Sequence, residues 1–111
     1  MATTPEGKVK EKVKKLLTKH GAYFFMPRGT TYGRSGIPDF IVCAHGLFIG
    51  VETKAGYNTP SALQDLEMLN IRKAGGITLV INEKNLDDLE HLLIRLDDVA
   101  FLKGKLHASN Q

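Results

Sequence analysis

The sequence predicts an α/β domain in which a mixed β-sheet is flanked by helices. Helix-type apolar periods alternate with short, branched apolar runs, in the order helix, three strands, helix, strand, helix, and two of the strands are joined by a short turn. A chain of 111 residues with 42% apolar residues fits one domain with one core. We expect a single domain over 1–111, with its core at about 6–103 and a flexible tail over 104–111.

The first element is predicted to be an amphipathic helix. Thr4 is a suitable cap, Pro5 suits the first helical position, and Gly21 ends the helix. One face is apolar, at Val9, Val13, Leu16 and Leu17. The other face carries one acid, Glu11, among six lysines: Lys8, Lys10, Lys12, Lys14, Lys15 and Lys19.

Three strands are predicted next. A short strand over 22–26 is followed by a glycine-rich stretch, 28–36, whose lack of an apolar period indicates a surface loop. Two apolar runs, 39–44 and 47–53, are separated by His45-Gly46, which predicts a β-hairpin.

The remaining elements are a helix, a strand and a final helix. Thr59-Pro60 repeats the cap-then-proline start of a helix, and Gly75-Gly76 ends it. Residues 77–81 are predicted to be a buried strand, and Asn82 or Asn85 can cap the last helix. The apolar positions of that helix are Leu86, Leu89, Leu93 and Leu96.

The register of the hairpin brings charged residues together. A two-residue turn at His45-Gly46, or a four-residue loop, places Asp39 opposite Glu52, with Cβ atoms ~4.5–5.5 Å apart on one sheet face. Lys54 points the same way, because strand side chains alternate with period two. Facing like charges are destabilising unless they are neutralised, and a divalent cation such as Mg²⁺ would neutralise them.

Two carboxylates and a lysine in this arrangement suit the hydrolysis of phosphodiesters. A bound cation lowers the pKa of water and polarises a phosphoryl group, and an ammonium group orients that water or stabilises charge on the phosphate. The alternative is that Asp39 and Glu52 end their strands while Lys54 forms a surface ion pair. The strands look covered on both faces, which favours the hydrolytic interpretation.

The same residues resemble the signature of a nuclease superfamily. The segments GIPD at 36–39 and VETK at 51–54 are similar to the PD-(D/E)XK signature. The wider context resembles the VRR-NUC branch, the virus-type replication-repair nucleases, at residues 34–56, Thr59, Gln64 and 74–76. The resemblance covers about residues 6–81 and implies a restriction-endonuclease-like core, αβββαβ plus a C-terminal helix.

This resemblance implies a metal-dependent nuclease that uses Mg²⁺ or Mn²⁺. Asp39 and Glu52 would be the metal-binding carboxylates, and the backbone carbonyl of Thr53 would be a further ligand. Lys54 would position and activate the attacking water.

Two further residues match the family pattern, each with a simpler alternative. Glu11 matches an acid that many relatives place near the metal, directly or through water, but it can also pair with Lys15 on the helix surface. Gln64 matches a glutamine that supports the site, but it can also be a solvated helix residue.

Several basic residues are candidates for binding DNA. Arg28 and Arg34 lie in the loop before the Asp39 strand, and Tyr32 between them can stack on a base or sugar. The first helix offers further candidates for phosphate contacts, at Lys8, Lys12 and Lys15. A solvated helix face has the same sequence pattern. No groove-reading motif is present in the sequence, which favours recognition by shape and backbone charge.

The resemblance implies a structure-specific DNA endonuclease, acting as a homodimer that resolves four-way (Holliday) junctions. One domain with one site cuts one strand, so symmetric cutting needs a two-fold dimer. Leu92 and Ile94, outside the main stripe of the last helix, can contribute to a dimer surface. The alternatives are a flap, nick or general repair nuclease of the same fold, and a non-catalytic DNA-binding module.

Composition excludes several other classes of protein. Apolar runs are too short to cross a bilayer, and we expect no secretion signal. The single cysteine and the four scattered histidines match no zinc pattern, and one cysteine cannot form an internal disulfide. We expect this cysteine, Cys43, to lie in the core. We expect a protein of the cytoplasm of a bacterium or a phage-infected cell, with no membrane contact and no organic cofactor. The formal net charge of the chain is +3.

Overall fold

The computed structural model describes residues 4–28 and 34–109, with side chains described as far as residue 104. The predicted α/β class is confirmed. The elements are α1 (Pro5–Lys19), β1 (Tyr23–Phe25), β2 (Phe40–Ala44), β3 (Leu47–Thr53), α2 (Ala62–Lys73), β4 (Ile77–Ile81) and α3 (Leu86–Ser109).

The four strands form one mixed sheet in the order β1-β2-β3-β4. The pairs β1–β2 and β2–β3 are antiparallel, whereas β4 runs parallel to β3 because α2 carries the chain back across the sheet. Phe40 lies opposite Val51 and Ala44 opposite Leu47, which confirms the predicted register of the hairpin. His45 and Gly46 both have positive φ, at 51° and 81°, as a type I′ turn requires.

The main core lies between one face of the sheet and the helices α1 and α3. Apolar residues recur on these helices at helical spacing, and on the strands at every second position, so both surfaces bury one side. The central members are Val9, Val13, Leu17, Phe40, Val42, Ile49, Val51, Ile81, Leu89 and Leu93.

Helix α2 packs on the opposite face of the sheet, where two glycines allow close approach. A Cβ at Gly50 would lie 2.9 Å from Ile71 Cδ1 and 3.1 Å from Pro38 Cγ. A Cβ at Gly36, where φ is +83°, would lie 2.6 Å from the backbone oxygen of Leu63. Gly36 therefore holds the segment that leads to Asp39 against the first turn of α2.

A carboxylate joins α3 to the hairpin turn and to the end of α1. Asp97 Oδ1 lies 2.7 Å from His45 Nε2, and Asp97 Oδ2 lies 2.9 Å from His20 Nδ1. The hydrogen bonds of His20 and then His45 lower the pKa of Asp97. The sequence alone does not indicate these contacts of the two histidines, because the residues that meet here are far apart along the chain.

The helix termini differ in three places from those that the sequence predicts. Helix α2 is capped by Ser61, in a capping box with Gln64, and not by Thr59. Helix α3 continues to Ser109, although we expected fraying from Gly104. Asn85 precedes α3 but bonds backwards, since its side chain accepts from Asn82 N and donates to Val80 O.

Cys43 corrects a prediction about the core. The residue is exposed, because it belongs to the face of the sheet that α2 covers only in part. The neighbouring side chains on this face, Tyr23, Phe25 and Phe48, are exposed as well.

Among the helices of the described chain, none combines the length and the apolar character needed to cross a membrane.

Candidate active site

The charged residues of the hairpin meet at the sheet edge where β2 begins and β3 ends. Asp39 immediately precedes β2, Glu52 and Thr53 are the last residues of β3, and Lys54 follows. Asp39 Oδ2 accepts hydrogen bonds from Thr53 N at 2.9 Å and from Thr53 Oγ1 at 2.5 Å. The other oxygen, Asp39 Oδ1, lies 3.8 Å from Lys10 Nζ.

Glu52 is a buried acid, with 1% of its surface exposed. Its Oε2 accepts a hydrogen bond from Gln64 Nε2 at 2.7 Å and lies 3.4 Å from Lys54 Nζ. Its Oε1 is buried and has no hydrogen-bond partner among the described residues. A buried carboxylate oxygen without a partner is costly, so this atom requires a ligand.

The surroundings of Glu52 disfavour its charged form. Burial raises the pKa of Glu52 to about 7, and the negative charge of Asp39 acts in the same direction. The ammonium group of Lys54 lowers this pKa and offsets only part of the increase. An added positive charge at this position would therefore stabilise the ionised pair.

The donor atoms present fit a hard divalent cation. Each carboxylate has one oxygen bound by protein donors, which leaves Asp39 Oδ1 and Glu52 Oε1 to a metal. Mg²⁺ is commonly held by one or two carboxylates, with water and substrate oxygens completing the octahedron. Over 4–28 and 34–104, no three His, Cys, Asp or Glu side chains are grouped as metal ligands. The carbonyl of Thr53 stays a predicted ligand.

A solved structure with the same architecture supports a nuclease assignment. It is named "VRR_NUC domain", and it matches 86% of this chain and 97% of its own length with a TM-score of 0.65 and 26% sequence identity. The fold is VRR-NUC-like. The predicted restriction-endonuclease-like core is thereby confirmed, and the chain has a nuclease-domain fold. No model of a protein family matches the sequence, and no curated protein is significantly similar to it.

Within this VRR-NUC-like fold, Glu11 lies on the solvent side of α1. Its side chain is 66% exposed, its Oε2 lies 3.5 Å from Lys14 Nζ, and its role near the metal stays a prediction. The α1 residue that reaches Asp39 is Lys10, whose Nζ also lies 3.5 Å from Glu6 Oε2. Glu6 and Lys10 escaped the sequence reasoning, although their i,i+4 spacing beside Val9 and Val13 would have indicated them.

Gln64 contacts Glu52. Its Nε2 donates to Glu52, while its Oε1 accepts from the backbone N of Ser61 at 2.8 Å. These contacts favour a supporting residue over a solvated helix residue, and the role itself stays a prediction. The capping box of α2 therefore orients the amide that orients Glu52 in the VRR-NUC-like core.

The predicted DNA-binding residues are distributed over two surfaces. Arg34 is exposed, bonds both oxygens of Glu67 at 3.2 Å, and lines a cavity that includes Asp39. Arg28 is exposed just before this cavity. The candidate lysines of α1 are exposed, at Lys8, Lys12 and Lys15. Tyr32 lies outside the described residues, and DNA contacts by all of these residues stay predictions.

Replacing Glu52 with glutamine should stabilise the metal-free protein by about 3 kcal/mol at pH 8 and by about 1 kcal/mol or less at pH 5. The folded-state pKa of about 7 exceeds the ordinary value of 4.5, so the folded form binds this proton more tightly. The contribution of this proton to the free energy of unfolding is fully present below pH 4.5. It is lost, by about 3 kcal/mol in all, as the pH rises through 7. Glutamine keeps the shape of the side chain and removes the charge.

Urea unfolding in EDTA at pH 5 and pH 8 measures this difference. The exposed Glu11→Gln is the matched control and should show no change at either pH. A Glu52→Gln variant that is less stable than wild type at pH 8 would contradict the electrostatic cost of the buried pair.

Proposed function

We propose that this protein is a metal-dependent, structure-specific DNA endonuclease that cuts four-way junctions as a homodimer. The observation that carries the proposal is the buried Glu52, whose Oε1 has no partner among the described residues. The Glu52 carboxylate interacts with the charges of Asp39 and Lys54 at one edge of a nuclease-domain fold. A buried carboxylate with a second carboxylate beside it costs stability, and cation-dependent chemistry would explain its presence.

Asp39 and Glu52 would hold Mg²⁺ or Mn²⁺ through the oxygens that Thr53 and Gln64 leave open, with the Thr53 carbonyl as a further ligand. When bound, such an ion polarises a phosphoryl oxygen and lowers the pKa of water. The hydrogen bonds that Thr53 donates fix the orientation of the Asp39 carboxylate. Gln64 does the same for Glu52. Both acids are thus preorganised for binding.

Two lysines flank the carboxylates and would contact the reacting groups. Lys54 Nζ, 3.4 Å from Glu52 Oε2, would orient the attacking water and stabilise the charge that develops on the phosphate. Lys10 Nζ, 3.8 Å from Asp39 Oδ1, would approach the phosphate from the side of α1. Lys10 Nζ also forms an ion pair with Glu6 Oε2, at 3.5 Å.

Helix α3 supports the dimer. Leu92 is partly buried and packs against the core, whereas Ile94 is exposed. Further exposed apolar side chains follow on the same helix, at Val99, Phe101 and Leu102. Apolar surface of this kind suits an isologous contact between two copies, which would place two sites on a two-fold axis.

A panel of DNA substrates tests the proposal. Four-way junction, flap, nicked duplex and linear duplex are incubated with Mg²⁺, Mn²⁺ or EDTA, and the mass in solution is measured in parallel. We expect paired, symmetric nicks on the junction, only with metal, from a protein of twice the monomer mass. Preference for a flap would favour the alternative repair nuclease, and binding without cutting in either metal would favour a non-catalytic DNA-binding module.

A further inference from the structure

A second cavity opens on the sheet face that carries Glu52. It has a volume of about 370 Å³ and lies between α2 and the start of β3. The ring of Phe48 and the side chain of Ile71 form apolar walls, while Arg34, Glu67 and Asn70 place polar groups at its rim. Phe48 is 46% exposed, so its ring is open to a ligand.

This cavity shares a lining residue with another cavity, which reaches Asp39. A smaller cavity of about 170 Å³ is lined by Arg34, Pro38 and Asp39, so Arg34 belongs to both. Phe48 and Glu52 point to the same sheet face, four residues and about 13 Å apart along β3. This span corresponds to about four nucleotides at the duplex rise of about 3.4 Å.

The guanidinium group of Arg34 is held in a defined orientation between the two cavities. Its Nε and Nη2 both donate to the Glu67 carboxylate at 3.2 Å. Glu67 is half-buried on α2, whereas the Arg34 side chain is 65% exposed and so remains accessible to a ligand. Asn70, one turn further along α2, adds an amide that can both donate and accept.

We propose that the larger cavity binds an unpaired nucleobase of the DNA substrate, stacked on Phe48 with its polar edge toward Arg34 and Asn70. An aromatic face combined with guanidinium and amide groups is complementary to the π-face and the hydrogen-bonding edge of a base. The inference rests on the proposed function and adds a property of the substrate: an unpaired nucleotide a few positions from the cut.

The competing occupant is a second copy of this chain. The polar groups of Arg34, Glu67 and Asn70 surround the ring of Phe48, whereas an isologous protein contact is more apolar at its centre. The exposed apolar residues of α3 fit such a contact better. Nucleobase binding is therefore the interpretation that the lining of this cavity favours.

Phe48→Ala tests the site, with Phe25→Ala as its matched control. Phe25 is 50% exposed on the same sheet face but does not line the cavity. The probe is a duplex with one unpaired 2-aminopurine, placed one to five nucleotides from a nick, and it is titrated in EDTA to prevent cutting. Phe48→Leu retains the apolar volume and removes only the aromatic face.

We expect wild type and Phe25→Ala to quench the 2-aminopurine fluorescence at one preferred position. Phe48→Ala and Phe48→Leu should lose the quenching and weaken binding of this probe at least about fivefold. Their affinity for a fully paired duplex should stay within about twofold of wild type, because phosphate contacts dominate there.

Equal binding and quenching by wild type and Phe48→Leu would overturn the nucleobase site. A fall in solution mass for Phe48→Leu would overturn it as well, in favour of a contact between copies. Metal-dependent cutting by wild type is scored separately, on the four-way junction as well as on these probes. Cutting that is unaffected by Phe48→Leu overturns only the nucleobase site, whereas Phe48-dependent quenching without cutting of any of these substrates overturns the nuclease and supports the base site.

Discussion

Asp39→Asn should lower the rate of DNA cleavage by at least about 1,000-fold while junction binding persists. The substitution removes the charge of one of two carboxylates that would hold the cation, and such an ion contributes several kcal/mol to transition-state stabilisation. The fold should tolerate the change, because the amide oxygen of asparagine can still accept from Thr53 N and Thr53 Oγ1. Single-turnover cleavage and a binding titration in EDTA measure the two effects.

Asp98→Asn is the matched control for this experiment, since Asp98 is an exposed acid on α3. It should cut at the wild-type rate. A cleavage rate for Asp39→Asn within tenfold of wild type would remove Asp39 from the metal site. Loss of junction binding together with cleavage would instead assign Asp39 a role in holding the fold or the substrate.

Lys54→Ala should lower the cleavage rate by about 100- to 1,000-fold with little change in substrate affinity. The ammonium group lies beside Glu52 in a mostly covered position, where its charge is poorly screened and acts strongly on a developing oxyanion. Because Lys54 also lowers the pKa of Glu52, its removal raises that pKa further. The rate of the variant should therefore recover in part at higher pH.

The Mg²⁺ concentration that the reaction requires distinguishes a role of Lys54 in the cleavage step from an effect of Lys54 on cation binding. Removing a positive charge near the carboxylates should leave the Mg²⁺ concentration for half-maximal rate unchanged or lower at pH 8.5. Lys14→Ala, on the exposed surface of α1, is the control and should behave as wild type. An unchanged rate for Lys54→Ala would take this lysine out of the mechanism.

The centre of the candidate site could be predicted because it depends on local pairing. His45-Gly46 determines the hairpin register, and this register alone brings Asp39 and Glu52 to one sheet edge. The backbone of Thr53 then lies close enough to bond Asp39. The turn position and the alternation of side chains along the strands were sufficient to predict this part of the site.

The contribution of α1 could not be predicted in the same way. Whether Glu11 or Glu6 lies near the carboxylates depends on how the helix is rotated on the sheet, and packing of Val9 and Val13 sets that rotation. Lys10 then lies on the flank that faces Asp39, and Glu11 points to solvent. Such an arrangement depends on tertiary contacts, which a helical period does not specify.

The second face of the sheet also escaped prediction. Branched, apolar strands indicated that helices cover both faces, yet α2 lies over the β3–β4 side and leaves Tyr23, Phe25 and Cys43 exposed. The capping box of Ser61 and Gln64 was legible in the sequence as an S-x-x-Q pattern, but the stronger Thr59-Pro60 signal obscured it. The cavity beside Phe48 is a result of this partial cover.

The contact between His45 and Asp97 bears on how accurately the hairpin forms during folding. It anchors the turn to α3, at the end of the hairpin away from Asp39 and Glu52. A slip of one residue between β2 and β3 would turn Glu52 toward the opposite sheet face and separate it from Gln64. A slipped turn would also lose the contact between His45 and Asp97. This contact therefore favours the correct hairpin register, although it lies at the far end of the hairpin from Asp39 and Glu52.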